Sequence, residues 1–138
     1  MDIRERIQEL ILHGYHCSQI MMQLSLDLRG REEDFTIRSL GALGGGMFAQ
    51  RTCGTLTGGV ALLSSYFKRG EGEAEPTGYQ ECANRLVEWF EKEHGSIECR
   101  DIVVFKKEEI LKVCPGMMER TFIKCMEILE EKEIDPEE

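Results

Sequence analysis

A chain of 138 residues, 41% of them hydrophobic, is long enough to bury one core without covalent cross-links and most simply forms one domain. A formal net charge of -9 excludes the basic face that nucleic acid requires and any general attraction to an anionic lipid surface. The longest apolar run, residues 56–67, is interrupted by glycines and serines and falls short of the roughly 20 residues a membrane span needs.

The chain opens on "MDIRERIQEL", which is charged and amphipathic and lacks the basic-then-apolar layout of a secretory leader. The expectation is a cytoplasmic protein with no membrane insertion. Ile3, Ile7, Leu10 and Ile11 recur at helical spacing, and Gly14 suits the end of that first helix. A second helix is predicted from about Ser18 to Leu28, with Ile20, Met21, Leu24 and Leu28 as its apolar stripe. After the polar "RGREED", Asp34 or Thr36 can cap a third helix through Leu43, and the glycines at 44–46 break it. Thr52 can cap a fourth helix from Cys53 to Phe67. The main loop is "KRGEGEAEPTG", followed by a fifth helix from Tyr79 that stops at Gly95.

Ser96 can cap a short helix through Ile102. Another helix is predicted from near Lys107 to Cys114, with Pro115 then placed as the first residue of a last helix, Gly116 to Lys132. Only "DIVVF", residues 101–105, reads as β, and it has no pairing partner. The fold class expected is all-α: a single-domain helical bundle of about six helices over residues 1–132, with residues 133–138 as a solvated acidic tail.

Six cysteines stand at 17, 53, 82, 99, 114 and 125, and no two form a CxxC. The local signatures of a thioredoxin motif, a zinc finger and a c-type haem are therefore absent, and any thiol site must be assembled by folding. The predicted elements put Cys17, Cys53, Cys99 and Cys114 at helix N-termini, and Cys82 and Cys125 inside helices as small core residues. A helix N-terminus favours thiolate over thiol by about 0.3–1 kcal/mol when exposed and up to about 2 when partly buried. At about 1.36 kcal/mol per pH unit, that makes a thiol reactive near neutrality. It does not support four clustered thiolates, which need a metal, a disulfide or shared protons. Gly54 and Gly58, four apart on one helix face, permit close approach beside Cys53 and are the candidate cofactor-binding positions as well as candidate packing positions.

The sequence "CGTLTG" at 53–58, the preceding "GGG", "HCS" at 16–18, "HGSIECRDI" at 94–102 and the lone Cys114 resemble the C-GCAxxG-C-C family of redox-active proteins. The resemblance covers nearly the whole chain and carries the four family cysteines onto Cys17, Cys53, Cys99 and Cys114. Thr55 stands where the family motif has alanine. The resemblance implies redox chemistry without naming a reaction.

Three functions are weighed. The first is thiol–disulfide electron transfer with an unidentified redox partner protein, in which Cys53 attacks and a second cysteine resolves. The second makes Cys17, Cys53, Cys99 and Cys114 the metal ligands of zinc or an iron–sulfur cluster. The third is a structural helical oligomerisation domain with inert cysteines, and the number of apolar helix faces is compatible with a homodimer. His13, His16 and His94 read as surface loop residues, and Met21, Met22, Met117 and Met118 as core.

Overall fold

The computed structural model describes residues 2–138, and within them the fold is all-α with seven helices. These are α1 Ile3–Leu12, α2 Cys17–Arg29, α3 Asp34–Leu40, α4 Gly54–Ser64, α5 Tyr79–His94, α6 Cys99–Ile102 and α7 Lys107–Glu131. Among the described residues the only β pairing is an isolated antiparallel bridge between Thr52 and Glu98.

The centre of the molecule is α4. Gly54, Thr55, Leu56, Gly58, Gly59, Leu62 and Leu63 are all buried, so this helix is apolar on every side. A helix of that kind needs neighbours all round, and α2, α5 and α7 pack against it. Helices α1 and α5 bury one stripe each, as their sequences predict: Ile7 and Leu10 on α1, and Cys82, Leu86 and Phe90 on α5. On α2 the expected stripe holds at Ile20, Met21 and Leu24 but not at Leu28, which is exposed; Met22 and Leu26 are buried as well, because α2 is wedged between several neighbours. Each fully buried leucine or phenylalanine contributes about 1.5–3 kcal/mol relative to its exposed state. Among the described residues no helix is long and apolar enough to cross a membrane.

Two glycines fix how closely α2 crosses α4. A Cβ built on Gly58 would lie 2.7 Å from the Ser18 carbonyl oxygen and 2.8 Å from Ser18 Cα. One built on Gly54 would lie 2.5 Å from Cys17 Sγ. The start of α2 is further held by the buried Ser18 hydroxyl, which donates to the Leu40 carbonyl at 2.7 Å. Between α3 and α4 the chain runs through a single turn at Gly41–Leu43 and then a tight turn at Gly46–Gln50. In that second turn Met47, Phe48 and Gln50 all take positive φ, at 62°, 52° and 57°.

The C-terminal third departs from expectation. The two helices predicted to meet at Pro115 are one continuous helix, α7, with Pro115 in its interior. Pro115 gives up one backbone donor, but Met117, Met118, Thr121, Phe122 and Cys125 beyond it are all buried. That burial continues the face carried by Ile110, Val113 and Cys114, so packing outweighs the local cost of the proline. Smaller boundary shifts occur elsewhere: Cys53 rather than Thr52 is the N-cap of α4, Glu98 rather than Ser96 that of α6, and α4 ends at Ser64. The acidic segment 133–138 is tethered rather than frayed, because Ile134 packs against the core and the Tyr66 hydroxyl donates to the Pro136 carbonyl at 2.7 Å.

Candidate functional site

Residues 51–53 and 97–99 run antiparallel. The Cys53 N–H donates to the Ile97 carbonyl at 2.8 Å, and the Cys99 N–H donates to the Arg51 carbonyl at 2.6 Å. These bonds flank the Thr52–Glu98 bridge. Cys53 and Cys99 each follow a bridge residue by one position, so their side chains leave the same face of the clip as diagonal neighbours. Just beyond the clip the chain turns helical on both strands. Cys53 is the N-cap of α4, and Cys99 is the first residue of α6. Cys17 is the first residue of α2, which the Gly54 and Gly58 face draws against α4.

Cys114 differs from these three. It was expected just outside a helix start, and it lies instead about two turns inside α7. It lies in the helix interior and is followed by Pro115, which has no N–H, so it receives none of the stabilisation that the free N–H groups of a helix start give a thiolate. Even so, Cys17, Cys53, Cys99 and Cys114 all line one cavity of about 420 Å³. Cys82 and Cys125 are fully buried elsewhere in the core, and the Cys125 thiol points at the Gly59 carbonyl at 3.8 Å. Gly54 and Gly58, the candidate cofactor contacts, do not face the cavity; their open sides are occupied by Cys17 and Ser18 of α2.

The thiols do not share one proton affinity. Hydrogen bonding from the Cys99 thiol holds Cys53 well below the ordinary cysteine range, assisted by the backbone N–H groups of Thr55 and Leu56 and by the Thr55 hydroxyl. Cys99 is pushed strongly upward by the same contact with Cys53 and by burial. The contact therefore favours the charge on Cys53 and the proton on Cys99. Burial raises Cys17, and the neighbouring Cys53 adds to that rise. Burial, with the charges of Cys17 and Cys53, pushes Cys114 up to about 12.

The rest of the cavity wall is mainly apolar and holds no Asp, Glu, Lys or Arg side chain. Ile20, Val103, Ile110, Met117 and Met118 line its interior, and Phe48, Phe105 and Leu111 are partly exposed residues of its wall. His16 also lines it and meets Phe48 edge-on, with ring centroids 5.0 Å apart. Sequence reasoning set His16 aside as a loop histidine, although its position next to Cys17 was the available signal. Thr55, noted in the sequence only as a departure from alanine, is fully buried on the wall. Its hydroxyl has no hydrogen-bond partner of good geometry and faces the Cys17 and Cys53 sulfurs.

Among the described residues, no three His, Cys, Asp or Glu side chains are grouped closely enough to hold one metal ion. As arranged, the four thiols line a common space without forming the tetrahedral shell that zinc or a cluster takes.

Comparison with known proteins agrees with the cysteine pattern. The model of the family described as "Putative redox-active protein (C_GCAxxG_C_C)" matches residues 15–128, a span that contains all four cavity cysteines and the left-handed turn beside them. No curated protein and no solved structure gives a significant match. The chain therefore belongs to the C_GCAxxG_C_C family of redox-active proteins.

Proposed function

We propose that this protein carries out thiol–disulfide exchange, with Cys53 as the attacking thiolate and Cys99 as the resolving thiol. One observation carries the reading: two cysteines from distant segments are fixed side by side at one cavity, and their contact stabilises the thiolate on Cys53 while keeping the proton on Cys99. A nucleophile and a resolving partner require that division, because exchange begins with thiolate attack and ends with displacement of the first sulfur by the second. Cys17 and Cys114, both held as thiols by burial, then form the remaining sulfur wall of the pocket.

The test is oxidation of the reduced protein with a stoichiometric mild oxidant, followed by alkylation and peptide mapping by mass spectrometry. The expected product is 2 Da lighter, joins the Cys53 and Cys99 peptides, and leaves Cys17, Cys82, Cys114 and Cys125 free. The Cys53→Ser protein should lose this product. A disulfide linking any other pair in the wild-type protein would remove the assignment.

A further inference from the structure

The proposed pair lines the cavity and is almost wholly shielded from solvent. Cys53 is 1% exposed and Cys99 6%. A disulfide on a folded protein partner is anchored to backbone at both sulfurs and would have to bring part of that backbone into the space. A cavity of about 420 Å³ is instead in the range that encloses a small molecule, roughly 300–1,000 Å³.

The wall chemistry narrows the class further. No Asp, Glu, Lys or Arg side chain lines the cavity. Phe48, Phe105 and Leu111 add partly exposed apolar surface to it, at 64%, 39% and 47% exposure. A ligand carboxylate or ammonium would be desolvated there among mainly apolar side chains, with no Asp, Glu, Lys or Arg to pair with, which opposes entry. An apolar ligand gains by covering the same surface. The second, separate observation is the Thr55 hydroxyl: fully buried, on the wall and without a well-formed hydrogen bond, it is a polar atom waiting for a partner beside the reactive sulfur.

From these features we infer that the cavity takes a small, uncharged, mainly apolar disulfide as its oxidant, with the Thr55 hydroxyl as the one buried polar contact near the exchanging sulfurs. This rests on the Cys53–Cys99 reading above and adds its substrate class. The Cys53 thiolate attacks one sulfur of R–S–S–R, forming a Cys53–S–S–R bond and breaking the substrate S–S bond, and the first R–S⁻ departs. Cys99 gives up its proton and attacks the Cys53 sulfur, forming the Cys53–Cys99 disulfide and expelling the second R–S⁻. One departing thiolate takes the Cys99 proton and the other is protonated by water. The protein dithiol loses two electrons, and the substrate disulfide gains them as two thiols.

The experiment uses the full chain, reduced, freed of reductant and kept from oxygen. It is mixed separately with equal concentrations of diethyl disulfide and oxidised glutathione. Formation of the Cys53–Cys99 disulfide is followed by acid quench and mass spectrometry. Each rate is divided by that of the same disulfide with free dithiothreitol, which removes intrinsic differences in reactivity. Diethyl disulfide should be preferred by about tenfold or more, as expected for a site that penalises charge. Leu111→Lys, and independently Phe48→Lys, should erase most of that preference, because each puts beside the cavity a positive charge with which the anionic glutathione disulfide can pair; both positions are partly exposed, which makes the substitutions compatible with folding. Equal or faster reaction with oxidised glutathione, or a preference that survives both substitutions, overturns the inference while leaving the exchange reading intact. Failure to form the Cys53–Cys99 disulfide with either reagent and with diamide overturns both.

Discussion

The contact between Cys99 and Cys53, which lowers the pKa of Cys53 and raises that of Cys99, is the feature from which the proposed chemistry follows, and it can be tested one residue at a time. Alkylation by iodoacetamide reports thiolate, so the rate at Cys53 should level off at a pH below the ordinary thiol value of about 8.5. Below that plateau it should fall about tenfold per pH unit. Cys99→Ala removes the donor with the largest effect and should move the inflection upward. Cys99→Ser, which retains a hydroxyl, should recover part of the shift. Thr55→Val removes a second donor at nearly constant shape. Because that hydroxyl faces the sulfur without a well-formed hydrogen bond, the upward move should be smaller than in Cys99→Ala, with recovery in Thr55→Ser. An inflection unmoved by both Cys99→Ala and Thr55→Val would mean that the helix end alone sets the acidity of Cys53.

At the scale of elements, the α2–α4 crossing carries Cys17 to the cavity, and Gly54 and Gly58 permit it. On an isolated helix, alanine would be favoured over glycine at either site by about 1 kcal/mol. Here the added methyl meets the Ser18 backbone at position 58, and the Cys17 sulfur with the Leu43 carbonyl at 2.9 Å at position 54. Backbone cannot swing aside as a flexible side chain can, so Gly58→Ala should destabilise by about 1–3 kcal/mol despite its better helix propensity. Gly54→Ala should also perturb the reactivity of Cys17. Urea denaturation measures the first effect and site-resolved alkylation the second. A neutral or stabilising Gly58→Ala would show that the helices can separate without loss. The glycine spacing was visible in the sequence, but its partner was not, because nothing local says which of several apolar helices fills the gap. Pro115 shows the converse: a strong local signal for a helix start was overridden by burial on both sides of it.

At the scale of the whole molecule, holding several thiols away from water makes stability depend on pH. Burial raises Cys17, Cys114 and Cys125 above their ordinary range. The unfolded chain releases these protons from about pH 8.5 upward, while the folded protein retains them. Above that pH the unfolded state binds fewer protons, so stability is intact below about 8.5 and is lost as pH rises towards the folded values. Each such thiol contributes a slope of at most about 1.36 kcal/mol per pH unit. Cys53 acts in the opposite sense: its pKa is lowered, so its contribution fades as pH falls through that lowered value. The thermal midpoint of the reduced protein should therefore decline between pH 8.5 and 10. Cys125→Ala should melt lower at pH 7 because it leaves a small cavity, yet decline less steeply with alkali. A flat profile to pH 10 in the wild-type protein would show that these thiols are not shielded as described.

The sequence by itself determined the all-helical class, the placing of most helices, the family, and three of the four cysteines at helix starts. These are properties of short range: apolar periodicity, caps and residue spacing act within a few turns of chain. What only the tertiary structure decided was which sulfurs become neighbours and what surrounds them. The clip between residues 51–53 and 97–99 joins segments more than forty positions apart through two backbone hydrogen bonds, and no local pattern encodes that pairing. The same holds for Cys114, brought to the cavity from the middle of a long helix, and for Thr55, whose hydroxyl acquires a role only once Cys17 is folded over it. Acidity and access belong to the assembled site, because burial and contact between distant groups, rather than residue type, set the balance between thiol and thiolate.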